Sequence, residues 1–341
     1  MSAVEERIPA ASRRRSLMPW ASRRADGPQT PGAPELSQTP PGRRRLVRRW
    51  VPYVLSSPAL LVLAVIIGFP LVFSLVISFQ HFGVFQFVTG GPILWAGFAN
   101  YQHLFTGQFV PVLFRTVLFT VTTVGLTIII GMALALLMRR AHTWARIVLS
   151  VALVVVWAVP QVTATQIFIW IFDSEFGLAN WLLTALHLGN FTGHDWWANP
   201  VSQLGIAAAI VVWGAVPFVA ITLFAGLLQI PEDLYEAARV DGAGFVSQLR
   251  TITVPLLAPI LVLLSVLSVI WDFTVFNQIY VLEQAGGISS ETTTFGVWGY
   301  VTAFAGQNYG EGAAITMLTV TLLCVVLAAA VRMMVRGART A

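Results

Sequence analysis

Six long apolar runs dominate this sequence and decide what it can fold into. Each run is long enough, at about 1.5 Å per helical residue, to cross a hydrocarbon layer of about 30 Å. The runs are continuous rather than alternating, and only helices or closed barrels satisfy every backbone hydrogen bond in lipid. We therefore predict an all-α integral membrane protein with six transmembrane helices. The runs lie near residues 54–79, 112–138, 147–172, 203–228, 256–282 and 312–335.

The composition excludes an ATPase of the Walker A type. The chain is 57% hydrophobic and 10% charged, whereas soluble domains carry about 25% charged residues. All 20 of its basic residues are arginine. A Walker A loop needs a lysine that contacts the β- and γ-phosphates, so a process that consumes ATP would need another chain to hydrolyse it. We expect no enzymatic activity, no metal and no cofactor in this chain, and its single Cys324 cannot form an internal disulfide.

With one exception, Arg115 just inside the second run, the arginines lie in alternate segments of the chain, which predicts the orientation. The loops 80–111, 173–202 and 283–311 contain no basic residue. Cytoplasmic loops of membrane proteins carry an excess of arginine and lysine, so we predict that both termini are cytoplasmic. The arginines that carry this argument, besides those of the N-terminal segment, are Arg139, Arg140, Arg146, Arg239, Arg250, Arg332, Arg336 and Arg339.

The first 50 residues differ from the rest. They are rich in arginine, proline, serine and glycine and hold too few apolar residues to offset the entropy of ordering. We predict a disordered, basic cytoplasmic tail over residues 1–50 and a six-helix membrane domain over residues 51–341. The arginines near the end of the tail, at 43–49, are expected to lie against the anionic cytoplasmic leaflet.

The loop between the fourth and fifth runs, residues 229–256, is short, charged and rich in glycine. Pro231 suits the first position of a helix, and Glu232 and Asp233 place negative charge at the positive end of its dipole. This helix is predicted to run to about Val240 and to stop at residues 241–244, because glycine takes the left-handed conformation that ends helices. A second short helix is predicted over residues 245–251.

The same loop carries a motif. Residues 236–255 read EAARVDGAGFVSQLRTITVP, in which Glu-Ala-Ala is followed after three residues by Gly242, and after nine more by Ile252-x-Val254-Pro255. This spacing resembles the cytoplasmic loop by which the membrane subunits of bacterial ABC importers bind their ATPases. The residues that the resemblance assigns to ATPase coupling are Glu236, Ala237, Ala238, Asp241, Gly242 and Gly244.

Three segments of the predicted outer loops narrow the resemblance. Residues 97–105 contain GFANY followed by Leu-Phe, residues 176–180 read FGLAN, and residues 276–282 read FNQIYVL, with threonines at 292–294. Over residues 50–340 the chain resembles the permease subunit of sugar ABC importers of the maltose and glycerol-3-phosphate type. It departs from that family at Asn277, where aspartate is usual, and at Ile288, where proline is usual.

The resemblance implies a fold, a mechanism and partners. The fold is that of a type I ABC importer permease in the cytoplasmic membrane of a bacterium. The partners are a second permease chain, two ATPase subunits that bind ATP and magnesium, and an extracytoplasmic solute-binding protein; nucleic acid is not among them. The implied function is movement of a carbohydrate across the membrane by alternating access.

Several side chains inside the apolar runs are candidates for the solute pathway. An ionisable residue within a membrane helix is costly and therefore a functional candidate, and Asp272 is the one acid inside an apolar run. Aromatic faces and hydrogen-bonding groups bind sugars, and the helices that carry them make up the central cavity of the resembling family. The predicted pathway residues are Asp272, Trp271, Asn277, Trp213, Phe218, Gln161 and Thr165.

Other functions remain open at this point. The same architecture could import a solute other than a sugar, such as a glycerophosphodiester, although an anionic solute would favour a basic cavity and no arginine lies deep in a helix. A secondary transporter driven by an ion gradient typically shows internal repeats and more buried charge. An intramembrane enzyme would need a metal or nucleophile site, and the sequence contains no His-Glu-x-x-His pattern.

Overall fold

The membrane-spanning architecture follows the apolar runs. The computed structural model describes residues 42–340, and five helical segments in that range are long and apolar enough to cross a membrane, with a bent pair of helices as a sixth. All six overlap the predicted runs, which confirms the prediction. The five are Tyr53–Ile77, Phe109–Arg140, Pro200–Leu227, Phe245–Gln284 and Tyr309–Ala329, and the bent pair is Thr143–Ala158 with Gln161–Ile171.

The chain divides into two compact units, residues 1–61 and residues 62–341. The described backbone begins with helix α1 (Gly42–Leu63), so residues 42–50 at the end of the predicted tail are helical. The disorder predicted for residues 1–41 lies outside the described residues, and the domain boundary at residue 50 stays a prediction. After α1 come a π-helical turn (Ala64–Gly68) and helix α2 (Phe69–Ile77).

A small antiparallel pair of strands follows the first span and was not predicted. Strands β1 (Gln80–His81) and β2 (Leu94–Trp95) pair with Gln80 opposite Trp95, and the helices α3 (Val84–Thr89) and α4 (Ala99–Thr106) flank β2. Asn100 of the GFANY segment donates from Nδ2 to the carbonyl oxygens of Ser78 (2.8 Å) and Gln80 (3.0 Å). This motif residue therefore holds β1 against α4.

The most extensive contact between helices is that of two long helices, α5 (Phe109–Arg140) and α9 (Pro200–Leu227), which pack side by side. Gly131 of α5 faces Val219 of α9, and a Cβ atom at position 131 would lie 2.6 Å from Val219 Cγ1. Because Gly131 has no side chain, the two backbones can approach closely. Small residues commonly have this role between membrane helices. Val219, Leu223 and Leu257 form a buried cluster around this contact.

The third span is broken at a proline. Helix α6 (Thr143–Ala158) ends before Pro160, and helix α7 (Gln161–Ile171) leaves at an angle of 98°. A proline disfavours the helical conformation of the residue before it, and Val159 is extended, with φ −70° and ψ 125°. The helix prediction for residues 147–172 was right in extent, and the bend is sharper than a kink.

The second half of the chain contains the remaining helices. The fifth run, predicted as one helix over residues 256–282, is interrupted by residues 274–276. There the Val275 amide donates to the Asp272 carbonyl oxygen (3.3 Å), and the Thr274 hydroxyl donates to the Ile270 carbonyl oxygen (2.9 Å). Helix α8 (Leu178–Ala185) lies between α7 and α9 in the chain. The elements after α9 are, in order, α10 (Glu232–Val240), α11 (Phe245–Gln248), a π-helical turn (Leu249–Thr253), α12 (Val254–Phe273), α13 (Asn277–Gln284), α14 (Ser289–Thr292), α15 (Phe295–Tyr300), a π-helical turn (Val301–Ala305) and α16 (Tyr309–Thr340).

The contact between α5 and α9 can be tested with one matched pair of substitutions. Gly131→Leu should lower the free energy of unfolding by about 1–3 kcal/mol, the usual cost of overpacking a filled interface. Gly125→Leu, on the same helix, adds a side chain where nothing lies within 4 Å of a Cβ atom and should leave stability nearly unchanged. Thermal unfolding in detergent compares the two, and equal melting temperatures would contradict the assigned packing.

Candidate functional site

The 229–256 loop contains the short helix that the sequence predicts. Helix α10 spans Glu232–Val240 and carries Glu232 and Asp233 in its first turn, where they interact favourably with the helix dipole. Pro231 is the N-cap residue rather than the first helical residue. The predicted start is therefore wrong by one position, which is within the usual uncertainty of helix ends.

The corner after α10 depends on Gly242. Its φ is +79°, a conformation that glycine adopts without steric cost. The Gly242 amide donates to the Arg239 carbonyl oxygen (3.1 Å), and the Ala243 amide donates to the Ala238 carbonyl oxygen (2.8 Å). These two bonds are the pattern of a Schellman motif, which confirms the predicted glycine stop. Gln248 Nε2 closes the corner by donating to the carbonyl oxygen of Ala243 (2.7 Å).

The second arm of the loop differs from the prediction of a separate helix. Helix α11, the π-helical turn at Leu249–Thr253 and helix α12 follow each other without a non-helical residue. Pro255 has no N–H to donate, and a π-helical turn immediately before it is a common way for a helix to absorb such a disruption. The corner at Gly242 is thus joined directly to the fifth membrane span.

Arg139, at the end of α5, contacts helix α10, which is the first arm of the loop. The sequence did not predict this contact. Its Nη2 lies 2.6 Å from Glu232 Oε2, and its guanidinium carbon lies 4.1 Å from the centre of the Tyr235 ring. Tyr235 is 7% exposed, and its hydroxyl lies 3.0 Å from the Thr253 hydroxyl. From the sequence, Arg139 is interpreted only as a signal of membrane orientation. A signal in the sequence exists, since acidic Glu232 and basic Arg139 are the charged ends of elements predicted on the same side of the membrane.

The predicted coupling residues lie on the outside of this structure. Glu236, Ala237, Asp241, Gly242 and Gly244 are exposed and Ala238 is half-buried. Large apolar side chains on the same loop are exposed as well, with Val240 at 88% and Leu234 at 44%. Because exposed apolar groups beside a rigid corner are typical of a contact surface, this surface is suited to a protein partner. The coupling role of the six residues stays a prediction.

A second group of candidate residues lies where the third span bends. Here a cavity of about 60 Å³ is bordered by aliphatic, amide and aromatic side chains from α6, α7, α9 and α13 and from the residue Val159 between α6 and α7. Gln278 Nε2 donates to Gln161 Oε1 at this cavity. Gln161 and Trp213 were predicted as pathway residues, and the structure brings them together. Gln278 was not predicted, although it follows Asn277 in the quoted motif. We call the residues Trp157, Gln161, Trp213, Gly214 and Gln278 the Gln161 group.

Aromatic side chains continue from this group. Phe218 stacks on Trp157, with ring centres 6.1 Å apart, and meets Trp271 edge-on at 5.8 Å. Trp157 and Trp271 are 61% and 53% exposed. The predicted residues Phe218 and Trp271 are therefore neighbours, and Trp157 joins them; their pathway role stays a prediction. Together they present an open aromatic surface within the membrane-spanning part.

Asp272 lies on a different side of α12. It is 4% exposed, against 53% for Trp271 beside it, and it interacts with the Thr123 hydroxyl on α5. Its Oδ2 has no hydrogen-bond partner in the described part of the chain, and the same holds for the hydroxyls of Thr120 and Thr127. These threonines share one face of α5, so Asp272 belongs to a buried polar contact between α5 and α12. Its pathway role stays a prediction.

The last two predicted pathway residues are separated from the Gln161 cavity. Thr165 is fully buried, and its hydroxyl donates to the Gln161 carbonyl oxygen one turn earlier (2.9 Å). Asn277 is exposed at the first turn of α13. The structure therefore brings together Gln161, Trp213, Phe218 and Trp271. Thr165, Asn277 and Asp272 do not border the cavity.

Comparison with known proteins identifies the family. Residues 125–340 match the model of the family described as binding-protein-dependent transport system inner membrane component. The chain belongs to this family. This permease is 36% identical over 302 residues to the diacetylchitobiose uptake system permease protein DasB of Streptomyces coelicolor, covering 88% of this chain and 90% of the relative. It is 33% identical to the trehalose/maltose transport system permease protein MalF of Thermococcus litoralis, covering 80% and 89%.

Solved structures agree on the fold of this permease. A bacterial ABC transporter involved in the import of the acidic polysaccharide alginate matches with a TM-score of 0.70 at 18% identity, over 86% of this chain and 98% of that chain. The prediction of an ABC importer permease fold is thereby confirmed. As a member of the family, the permease is a multi-pass inner-membrane component of an ABC importer and not an enzyme.

The contact of Arg139 with α10 predicts a measurable change. Arg139→Gln removes both the ion pair and the ring contact, and partly exposed pairs of this kind contribute about 0.5–1 kcal/mol. Amide hydrogen exchange in α10 should therefore accelerate by roughly two- to fivefold, since local opening sets the rate. Arg250→Gln, which removes an exposed arginine of the same loop, is the control. Unchanged exchange in Arg139→Gln would contradict the role assigned to this contact.

Proposed function

We propose that this permease moves a carbohydrate across the cytoplasmic membrane by alternating access, driven by separate ATPase subunits. The observation that carries the proposal is the 229–256 loop. It forms a rigid corner with an exposed apolar surface, it is bonded to α5 through Arg139, and it is continuous with α12. A corner held by two membrane helices is suited to transmit movement of an attached partner into the membrane.

The orientation of the loop supports an intracellular partner. Apart from Arg115, near the start of α5, arginine lies in the segments on the side of the 229–256 loop, and loops 80–111, 173–202 and 283–311 contain none. The positive-inside rule then assigns the loop and both termini to the cytoplasm. ATP and magnesium would be bound by the partner ATPases there, because this chain has no lysine for a Walker A loop.

A second permease chain would complete the pathway. Trp157 and Trp271 expose more than half of their surface inside the membrane-spanning part, and the Gln161 cavity is too small for a sugar ring on its own. Apposition of a similar chain would enclose these side chains. An extracytoplasmic binding protein would deliver the solute, in keeping with the family description.

A carbohydrate is the solute that the Gln161 group supports best. Its two amide side chains offer donors and acceptors for hydroxyl groups, and its tryptophans offer apolar faces. None of the residues that border the cavity is charged, which favours a neutral solute. The two curated relatives are named for diacetylchitobiose and for trehalose and maltose, which supports the same class.

The mechanical role of the corner predicts the effect of one substitution. Proline fixes φ near −65° and cannot adopt the +79° of Gly242. Gly242→Pro should leave the protein in the membrane but abolish solute-stimulated ATP hydrolysis in the reconstituted complex. Gly90, in the loop 80–111, also has a positive φ, of +64°, and nothing within 4 Å of a Cβ atom, so Gly90→Pro introduces the same strain outside the corner; it is the matched control and should retain stimulation. Full stimulation in Gly242→Pro would remove the coupling role.

The solute role of the Gln161 group predicts a change in uptake. Gln278→Ala removes the amide that bonds Gln161, and the loss of one or two hydrogen bonds to a bound sugar should raise the KM for uptake by about tenfold. Gln166→Ala, an exposed amide on α7 outside the cavity, is the control. Uptake kinetics that are the same in both variants would exclude the Gln161 group from the solute pathway.

A further inference from the structure

An apolar groove lies beside the loop on the flank of α5 and α12. Its volume is about 690 Å³, and among the described residues that line it Arg140 is the one with a charge. Its α5 part includes Ile129, Ala133 and Leu137, all of which are exposed. Phe245 and Leu249 of the loop close one end. We call it the Arg140 groove.

The groove has the length and position of a lipid chain. Its lining on α5 runs from Ile128 to Arg140, which spans roughly 18 Å at about 1.5 Å per residue. The hydrocarbon of one leaflet is roughly 15 Å thick, half of the whole layer. An acyl chain in the groove would therefore run from mid-membrane, at Ile128, to the membrane surface, at Arg140.

Arg140 supplies a positive charge that no described residue neutralises. Its guanidinium carbon lies 4.6 Å from the centre of the Phe245 ring, and among the described residues the ion pairs involve other side chains. Its neighbour Arg139 is already paired with Glu232. A guanidinium that lies on an aromatic ring keeps donors free, and its fork matches the oxygens of a phosphate group.

The groove and the proposed solute pathway lie at different places on α12. The buried residues Leu257 and Leu264 define the face of α12 against α5 and α9. At 100° and 1.5 Å per residue, Leu261 in the groove and Trp271 in the aromatic surface point about 80° apart and lie about 15 Å apart along the helix. A second permease that covers Trp271, as the proposed function requires, therefore does not have to cover Leu261, and the proposal takes the groove to face lipid.

We propose that the Arg140 groove binds an anionic phospholipid, with an acyl chain along α5 and the headgroup phosphate on Arg140. The lipid would contact Phe245 and Leu249, so its headgroup would lie against the arm of the 229–256 loop that continues into α12. Anionic lipid would thereby stabilise the attachment of that arm to α5.

The test measures lipid binding directly and does not depend on transport. The assembled transporter is reconstituted in vesicles of phosphatidylcholine with spin-labelled phosphatidylglycerol or spin-labelled phosphatidylcholine, and electron spin resonance gives the motionally restricted fraction of each. Wild-type protein should prefer phosphatidylglycerol. Arg140→Gln should reduce this preference by roughly fivefold, the equivalent of about 1 kcal/mol for one arginine at a membrane surface, whereas Arg140→Lys should keep most of it.

Two further variants separate the groove from general surface charge. Ala133→Trp fills the groove without changing any charge and should reduce the preference as Arg140→Gln does. Arg332→Gln removes an exposed arginine from α16 and should leave the preference unchanged. Inorganic phosphate, which has no acyl chain, should not compete.

Three results would overturn the proposal. The first is a preference that Arg140→Gln retains, and the second is an equal loss in Arg332→Gln. The third is cross-linking of Ala133→Cys to the second permease rather than to lipid, which would assign the groove to a protein contact. Failure of carbohydrate uptake in the same vesicles would count against the proposed function and not against lipid binding.

Discussion

The packing of Tyr235 under Arg139 is the contact on which the 229–256 loop depends. The ion pair between Arg139 and Glu232 is half exposed on the glutamate side, so by itself it contributes about 0–1 kcal/mol. Burial of the Tyr235 ring contributes more, since removing a large apolar side chain from water is worth about 1.5–3 kcal/mol. The ring also lies in the cluster that joins α5, α9 and α12. The loop is therefore held mainly by packing of the Tyr235 ring, and the Arg139 guanidinium lies over that ring.

This contact joins α5 to α10, two helices that are distant in sequence. In the proposed mechanism a force on α10 would reach α5 through Arg139 and Tyr235, and it would reach α12 through an unbroken run of helix after Gly244. Both helices border the buried contact between Asp272 and Thr123. The break after Phe273 then separates α12 from α13, which carries Gln278 of the Gln161 group. The proposed function would connect movement at the loop to rearrangement at the cavity through these packed elements.

Much of the fold could be predicted because the membrane leaves few choices. Continuous apolar runs must be helices in lipid, and the six spans follow directly. The glycine corner was predictable as well, since Gly242 is one of few residues that adopt a positive φ without strain. The 98° bend at Pro160 was visible only as a kink, because its angle depends on how α6 and α7 pack on α9. The continuity of α11 with α12 was missed, because Pro255 suggested a helix start.

The candidate site was predictable in part. Gln161 follows the break at Pro160, and Trp271 lies shortly before the break after Phe273, and such breaks are visible as prolines and motif changes. Trp213 and Phe218 lie within the continuous helix α9. Asp272 and Trp271 were grouped because they are adjacent in sequence, yet neighbours on a helix point about 100° apart, and one is buried while the other is exposed. Gln278 and Arg139 were missed because their partners lie on other helices, which a single sequence does not reveal.

The central claim is that the exposed surface of α10 meets an ATPase on the cytoplasmic side. Its most direct test is labelling of Val240→Cys with a membrane-impermeant maleimide, in a chain whose Cys324 is replaced by serine. Val240 is 88% exposed, so the label should react in inside-out vesicles, be blocked there when the ATPase subunits are bound, and not react in right-side-out vesicles. Reaction from the outer side, or equal reaction with and without the ATPases, would contradict the account.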